Sequence, residues 1–153
     1  MKSDNSKLKI IKEITEKLLE LLEVKASLVV KEEDEIINIQ LETEEPGILI
    51  GYHGQALQAL QLLISLIGFK KFNEWVRVVV NVGDYQEKRQ ESLTKMAQSI
   101  AQRAKFSGTS QSLPPMSSAE RRIIHLALAN DTEVETFSEG EGRERHVVIK
   151  PKS

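Results

Sequence analysis

The 153-residue sequence predicts an α+β protein built from two consecutive small modules. Three observations carry that expectation. The hydrophobic spacing switches several times between the helical period and the strand period. A glycine-bracketed turn, Gly51-Tyr52-His53-Gly54, lies between two apolar helical segments. Gly83-Asp84 breaks the pattern near mid-chain, and a new helix, a second helix and a hairpin follow.

Lys7 to Leu22 reads as an amphipathic helix. Ile11, Ile14, Leu18, Leu21 and Leu22 recur at helical spacing, opposite Lys9, Lys12, Glu13, Lys17 and Glu20. Val24, Ala26, Leu28 and Val30 then alternate, as do Ile37, Ile39 and Leu41, which predicts two strands. Lys31 to Glu35 joins them as a solvated acidic hairpin tip. Pro46 and Gly47 break the second strand, and Gly47-Ile48-Leu49-Ile50 leads as a short helical turn into Gly51. From Gln55 a helix is expected to reach Ile67, with Leu57, Leu60, Leu63, Ile64 and Ile67 on its apolar side and Gly68 ending it. Trp75 to Val82 is a third strand, expected to be the most buried of this half, with Trp75 in core or junction packing rather than base stacking.

Beyond Gly83, a helix from Tyr85 to about Lys105, roughly 30 Å long, carries the apolar stripe Leu93, Met96, Ala97, Ile100, Ala101 and Ala104. Ser107-Gly108 stops it. Ser117 and Glu120 have the spacing of a capping box for a helix that reaches about Ala129. Thr132 to Ser138 and Glu144 to Lys150 make a hairpin around Gly140 and Gly142.

Composition narrows the function classes. There is no cysteine, which excludes disulfides and thiolate metal sites and fits a reducing, cytoplasmic location. Only three histidines are present, with no HExxH spacing, no P-loop and no G-x-G-x-x-G after a strand. No catalytic set, no metal site and no cofactor is therefore expected. The longest apolar stretch, Ala56 to Phe69, is interrupted by Gln58, Gln61 and Ser65 and is too short and polar to span a bilayer. Met1-Lys2-Ser3-Asp4-Asn5 lacks the apolar core of a signal peptide. Residues 1–83 hold 10 Lys/Arg and 13 Asp/Glu, and residues 84–153 hold 11 and 10. Neither half is a polycation, so nucleic-acid contact has to come from a local patch and to be salt-sensitive.

Two segments supply such patches. A Gly-x-x-Gly turn between helices lets a nucleic-acid backbone come close. The helix that follows presents free N–H groups and the positive end of its dipole to phosphate. Ile48 and Ile50 before the turn and Leu57 and Leu60 after it could form an apolar groove for unstacked bases. In the second segment, Arg121-Arg122-Ile123-Ile124-His125 puts Arg121, Arg122 and His125 within an arc of about 100° on a helix. Arginine offers planar two-point contacts to phosphate, and a histidine at i+4 can add a hydrogen bond or a stacking face. The ordinary alternatives are a bend in which glycine only solves a steric problem, and a solvated helix face with His125 bonded locally.

The order helix, two strands, a helix pair broken by Gly-x-x-Gly, then a strand resembles the type II KH domain across residues 7–83. That resemblance implies a three-stranded sheet packed on helices and a groove for single-stranded RNA or DNA. KH turns usually carry a basic residue between the glycines. Here they are Tyr52 and His53, so charge should contribute less to binding. The run Ser118 to His125, followed by Ser138-Glu139-Gly140-Glu141-Gly142 and Arg145 to Ile149, resembles the Arg-xxx-His domain, again a single-strand binder. Arg121 and His125 take its motif positions, and Arg143 and Arg145 extend the basic surface.

A KH domain in residues 1–83 followed by an Arg-xxx-His domain in residues 84–153 is similar to the bacterial Jag (SpoIIIJ-associated) family. The chain opens on the KH helix and is expected to lack that family's N-terminal Jag domain and basic linker. The resemblance implies a non-enzymatic bacterial protein that binds single-stranded RNA linked to cell-envelope growth or membrane-protein insertion. Single-stranded DNA binding, and an adaptor role that pairs with another KH protein or an insertase complex, remain as alternatives. No direct membrane insertion is expected.

Overall fold

The computed structural model describes residues 2–153, with side chains from Asn5 onward. Its elements are α1 (Lys2–Leu21), β1 (Ala26–Glu33), β2 (Ile36–Thr43), α2 (Pro46–Ile50), α3 (Gln55–Phe72), β3 (Arg77–Val82), α4 (Tyr85–Ser107), β4 (Gln111–Ser112), α5 (Ser118–Ala127), β5 (Val134–Glu139) and β6 (His146–Pro151). They divide into two compact units, one ending at Gln86 and one running from Glu87 to Ser153.

The first unit is an α+β fold with a three-stranded sheet in the order β1-β2-β3. β1 and β2 are antiparallel, from Ala26 opposite Thr43 to Glu33 opposite Ile36. β2 and β3 are parallel, from Ile36 opposite Arg77 to Leu41 opposite Val82. The hairpin is tighter than the acidic run suggests. Only Asp34 and Glu35 form the turn, both with positive φ (50° and 63°), as a two-residue connection matching strand twist requires. Glu32 and Glu33 belong to the strand.

β3 is an edge strand rather than the most enclosed one; β2 lies in the middle. The outer edge of β3 is closed by side chains instead of a strand. Gln61 Oε1 accepts from the Val80 N–H at 3.0 Å, and Gln86 Nε2 donates to the Val80 carbonyl at 3.0 Å. These bonds satisfy an edge that would otherwise invite pairing with another chain.

Helices α1 and α3 cover one face of this sheet. Ile11, Ile37, Ile39, Leu41, Leu49, Ile64, Val80 and Val82 are fully buried between the layers. Two sequence expectations for the helices change. In α1, Leu19 enters the core while Leu21 and Leu22 stay exposed. In α3, Gly68 does not end the helix. It is buried, and a Cβ there would lie 3.3 Å from Ile11 Cδ1, so glycine sets how closely α3 approaches α1. The helix runs on to Phe72 and stops at Asn73, in the left-handed region at φ 56°. Leu63 lies off the apolar side and is 47% exposed. Trp75 precedes β3, is 63% exposed and stacks on Phe69 (ring centroids 4.6 Å apart, 24° between planes). It is therefore not a core residue.

The second unit packs α4 and α5 against a sheet in the order β4-β6-β5, antiparallel throughout. Leu93, Ala97, Ala101 and Ala104 of α4 meet Leu113, Ile124, Val134, Val147 and Ile149 in its core. The alanines bring the α4 backbone close to its neighbours. Ion pairs fix α4 on both sides of that core: Arg89 Nε to Glu120 Oε1 at 2.8 Å, and Lys105 Nζ to Asp131 Oδ2 at 2.7 Å. The Ser117 hydroxyl caps α5 by accepting from the Glu120 N–H at 3.3 Å. The Glu120 carboxylate is engaged by Arg89, so only half of the expected capping box forms.

Ile64→Ala should lower unfolding free energy by about 2–5 kcal/mol through the cavity it leaves. Leu63→Ala should change it by less than about 0.5 kcal/mol. Urea unfolding of the two variants distinguishes the core face of α3 from its exposed face.

Candidate nucleic-acid interface

The glycine turn is built by left-handed backbone. Gly51 has φ 69°, His53 φ 49° and Gly54 φ 82°. The Gly51 N–H ends α2 by bonding to the Gly47 carbonyl at 2.9 Å. A Cβ on Gly51 would sit 2.7 Å from Ala56 Cβ and 2.9 Å from Ala56 N, and one on Gly54 would sit 2.9 Å from the Tyr85 hydroxyl oxygen. The fold itself thus demands glycine at both positions.

Tyr52 projects from this turn, 72% exposed, with its ring stacked on His53 at 4.0 Å and 26°. Gly54 begins α3 without a side-chain cap, and the first turn of α3 holds no acid. Gly54 itself is buried, and the Gln55 N–H bonds to the Tyr52 carbonyl, so the start of this 18-residue helix is tied to the turn by backbone rather than by a side chain. Of the expected groove residues, Ile48 is exposed and Ile50 half-buried. Leu57, expected to line the groove, is only 5% exposed and packs in the core, as does Leu60. Both face the sheet, where the apolar side of α3 is driven, and so are core residues rather than surface ones.

The Arg121-to-His125 segment lies on α5. His125 does not face solvent beside Arg122. It turns toward β5, with Nδ1 2.8 Å from the Thr136 hydroxyl and Nε2 3.1 Å from the Ser138 hydroxyl. Thr136 and Ser138 are two apart on a strand, so they share one face and hold the ring at both ends. A hydroxyl can donate to one nitrogen and accept from the other, so a neutral imidazole is fully bonded. Burial, and then the positive charge of Arg121, hold His125 below the 6.5 of a free histidine. At pH 7 the ring is a neutral strut, not a cation.

Arg121 is half-buried and donates through Nη1 to the Met116 carbonyl at 2.9 Å, which leaves its other N–H groups for an acceptor. Arg145, also half-buried, donates to the Gly140 carbonyl at 2.7 Å and closes the β5–β6 connection. Arg122 and Arg143 are exposed. Arg121 and His125 are thus each tied to the framework by their own hydrogen bonds, and Arg122 and Arg143 remain as outward charges. No group of three or more His, Cys, Asp or Glu side chains is placed to hold a metal among the described residues. None of their helices is long and apolar enough to cross a membrane.

Two features escaped the sequence reading. Thr136 and Ser138 carried a signal only as alternating hydroxyls on a strand opposite a helix with Arg and His. The second is charge: residues 46–73, which form α2, the glycine turn and α3, contain no Asp or Glu in a chain that holds 23. A surface that meets a polyanion has to exclude carboxylates.

Residues 9–82 match the KH domain of KhpA/KhpB, and residues 91–151 match the Arg-xxx-His domain. The chain is 43% identical over 129 residues to the RNA-binding protein KhpB of Clostridium symbiosum, which covers 84% of this chain and 58% of that protein. It is 42% identical over 113 residues to the RNA-binding protein KhpB of Streptococcus pneumoniae serotype 2, covering 74% and 34%. With the RNA-binding protein KhpB of Bacillus subtilis it shares 34% over 130 residues, covering 84% and 62%. The chain therefore spans between about a third and three fifths of the length of these relatives.

His125 should titrate below 6.5 by NMR, and Arg121→Gln should raise its pKa by removing a nearby positive charge. The unfolded chain takes up a proton on this residue before the folded one does. Its contribution to stability is thus complete above pH 6.5 and falls as pH drops below 6.5 toward the depressed folded value. Gly51→Asp and Gly54→Asp should each lower stability by about 1–3 kcal/mol from backbone strain, so thermal unfolding has to accompany any binding assay on them.

Proposed function

Because the chain belongs to the Jag-type family, with a KhpA/KhpB-type KH domain followed by an Arg-xxx-His domain, we propose that it is a non-enzymatic binder of single-stranded RNA. The observation that carries this reading is the acid-free segment 46–73, which contains the glycine turn, the exposed Tyr52 and the uncapped start of α3. Gly51 and Gly54 bring the backbone of the turn close to a phosphate. The N-terminus of α3 supplies positive potential in a turn that carries neither lysine nor arginine. Tyr52 offers a face for a base. Ile48 and Ile50 provide apolar surface beside it.

In the second unit, Arg121, Arg122 and Arg143 hold phosphate, and His125 keeps Arg121's helix in register with β5. Arg145 acts by fixing the hairpin that carries Arg143. One strand engaged by both units gains from effective concentration, so two weak sites reinforce each other. The family likeness supports a bacterial, cytoplasmic setting for the bound RNA and a role in the control of envelope or membrane-protein biogenesis.

A second reading, pairing with another KH module, is favoured by Ala59, Leu62, Leu63 and Leu66, an exposed apolar stripe along α3 at helical spacing. Leu62→Glu would abolish such pairing in light scattering at rising protein concentration.

Tyr52→Ala should weaken single-stranded RNA binding about tenfold, the order of one lost base stack, without a change in melting temperature. Arg122→Ala with Arg143→Ala should weaken it about equally for all sequences, as phosphate contacts do. Unchanged affinity in both, measured by fluorescence anisotropy, rules the reading out. Competition between matched RNA and DNA strands separates the two nucleic acids, since only RNA offers a 2′-hydroxyl.

A further inference from the structure

At the far end of α3 from the glycine turn lies an aromatic pair that neither motif includes. Trp75 rests one indole face on Phe69, at 4.6 Å and 24°, and remains 63% exposed. An exposed tryptophan held flat against a half-buried ring is a platform with one free face. Its surroundings are basic. Lys70 and Lys71 occupy the last turn of α3, and Arg77 opens β3, all three exposed. The nearest acid in sequence, Glu74, is paired with Lys7, and it is the sole Asp or Glu between Glu45 and Asp84. Lys7 also lies over the Phe72 ring, 5.8 Å from its centroid.

We infer that Trp75, backed by Phe69, is a second base-stacking platform where a single strand leaves the first unit, with Lys70, Lys71 and Arg77 holding its phosphates. This inference rests on the RNA-binding reading above. From Gln55 to Phe69 α3 rises about 21 Å, comparable to the reach of the roughly four nucleotides that a Gly-x-x-Gly turn clamps. A strand that starts at Tyr52 and follows α3 therefore arrives at Trp75 with its next base unpaired and unstacked. Stacking suits that base, because any base has a π-face, so the platform tolerates every sequence. The basic residues and the neutralised Glu74 favour a polyanion over a protein surface, which would be served by the leucines of α3 without them.

The chain contains one tryptophan, so its emission reports on this site alone. The intact chain is titrated with 5′-labelled single-stranded RNA of mixed sequence, in lengths of about four and about ten nucleotides. Label anisotropy and tryptophan emission are followed together. The longer strand should quench Trp75 emission with the same midpoint as the anisotropy rise, and the shorter one should bind with little quenching. Trp75→Ala should weaken the longer strand about tenfold and leave the shorter one unchanged, and Trp75→Phe should restore most of the loss. Trp75 is exposed, so melting temperature should not move.

Anisotropy that rises with no quenching at either length overturns the platform and leaves RNA binding standing. Silence in both signals removes the RNA reading itself. Emission that shifts as protein alone is concentrated, and does not respond to RNA, assigns the aromatic pair to protein contact instead.

Discussion

The reversal between α2 and α3 is the constraint on which the first unit depends. Three residues, Gly51, His53 and Gly54, take positive φ within four positions. A side chain on Gly51 would run into Ala56, backbone included, and one on Gly54 would be strained by its φ of 82° and would displace the Tyr85 hydroxyl. His53 adopts a conformation that costs a β-carbon residue about 1 kcal/mol or more. The surrounding packing enforces it, with Leu49, Leu57 and Leu60 anchored in the core on either side. The same geometry that makes the turn possible leaves α3 uncapped and Tyr52 outward. The fold of the turn and the exposure of Tyr52 follow from one steric solution.

The second unit positions its basic side chains differently. Its charges sit on a framework with little freedom. His125 is fixed at both nitrogens, Arg121 and Arg145 each donate to a backbone carbonyl, and Arg89 and Lys105 tie α4 to α5 and to the segment leading into β5. The histidine of the motif is a neutral spacer that sets where the arginines stand. The glycine turn offers shape and a helix terminus without formal charge, and the exposed cations lie elsewhere, at Lys70, Lys71 and Arg77 in the first unit and at Arg122 and Arg143 in the second. That division explains how a chain of net charge −2 can serve a polyanion without a large basic surface: the requirement is local, and residues 46–73 meet it by excluding acids.

Much of this was legible in the sequence. Strand alternation located β1, β2 and β3, and the glycine turn and the Ser117 cap marked the starts of α3 and α5. What failed did so for physical reasons. Gly68 looked like a stop because glycine usually ends helices, but its missing side chain admits Ile11, a contact between distant segments. Leu57 was placed in a groove because its neighbour in sequence is the turn, whereas the 3.6-residue period turns it to the sheet. Trp75 was expected in core or junction packing because it opens a strand near the domain boundary, whereas it stands 63% exposed on Phe69 of the preceding helix, a contact that strand periodicity does not reveal. His125 was placed on one arc with Arg121 and Arg122, since spacing reveals a helix face but not the hydroxyls of Thr136 and Ser138 that bond it.

The central claim is that single-stranded RNA is held through phosphate contacts of the second unit together with base contacts of the first. Salt dependence of the binding constant tests it most directly. Arg121, Arg122 and Arg143 on phosphate, at a slope of about −0.7 each for a single strand, predict that log K falls linearly with log salt at a slope of about −2 for a strand too short to reach Trp75, and more steeply, toward about −4, for one that also meets Lys70, Lys71 and Arg77. A finite affinity should remain at high salt from the stacked bases. A flat salt dependence, or no measurable binding of single-stranded RNA at low salt, would contradict the account.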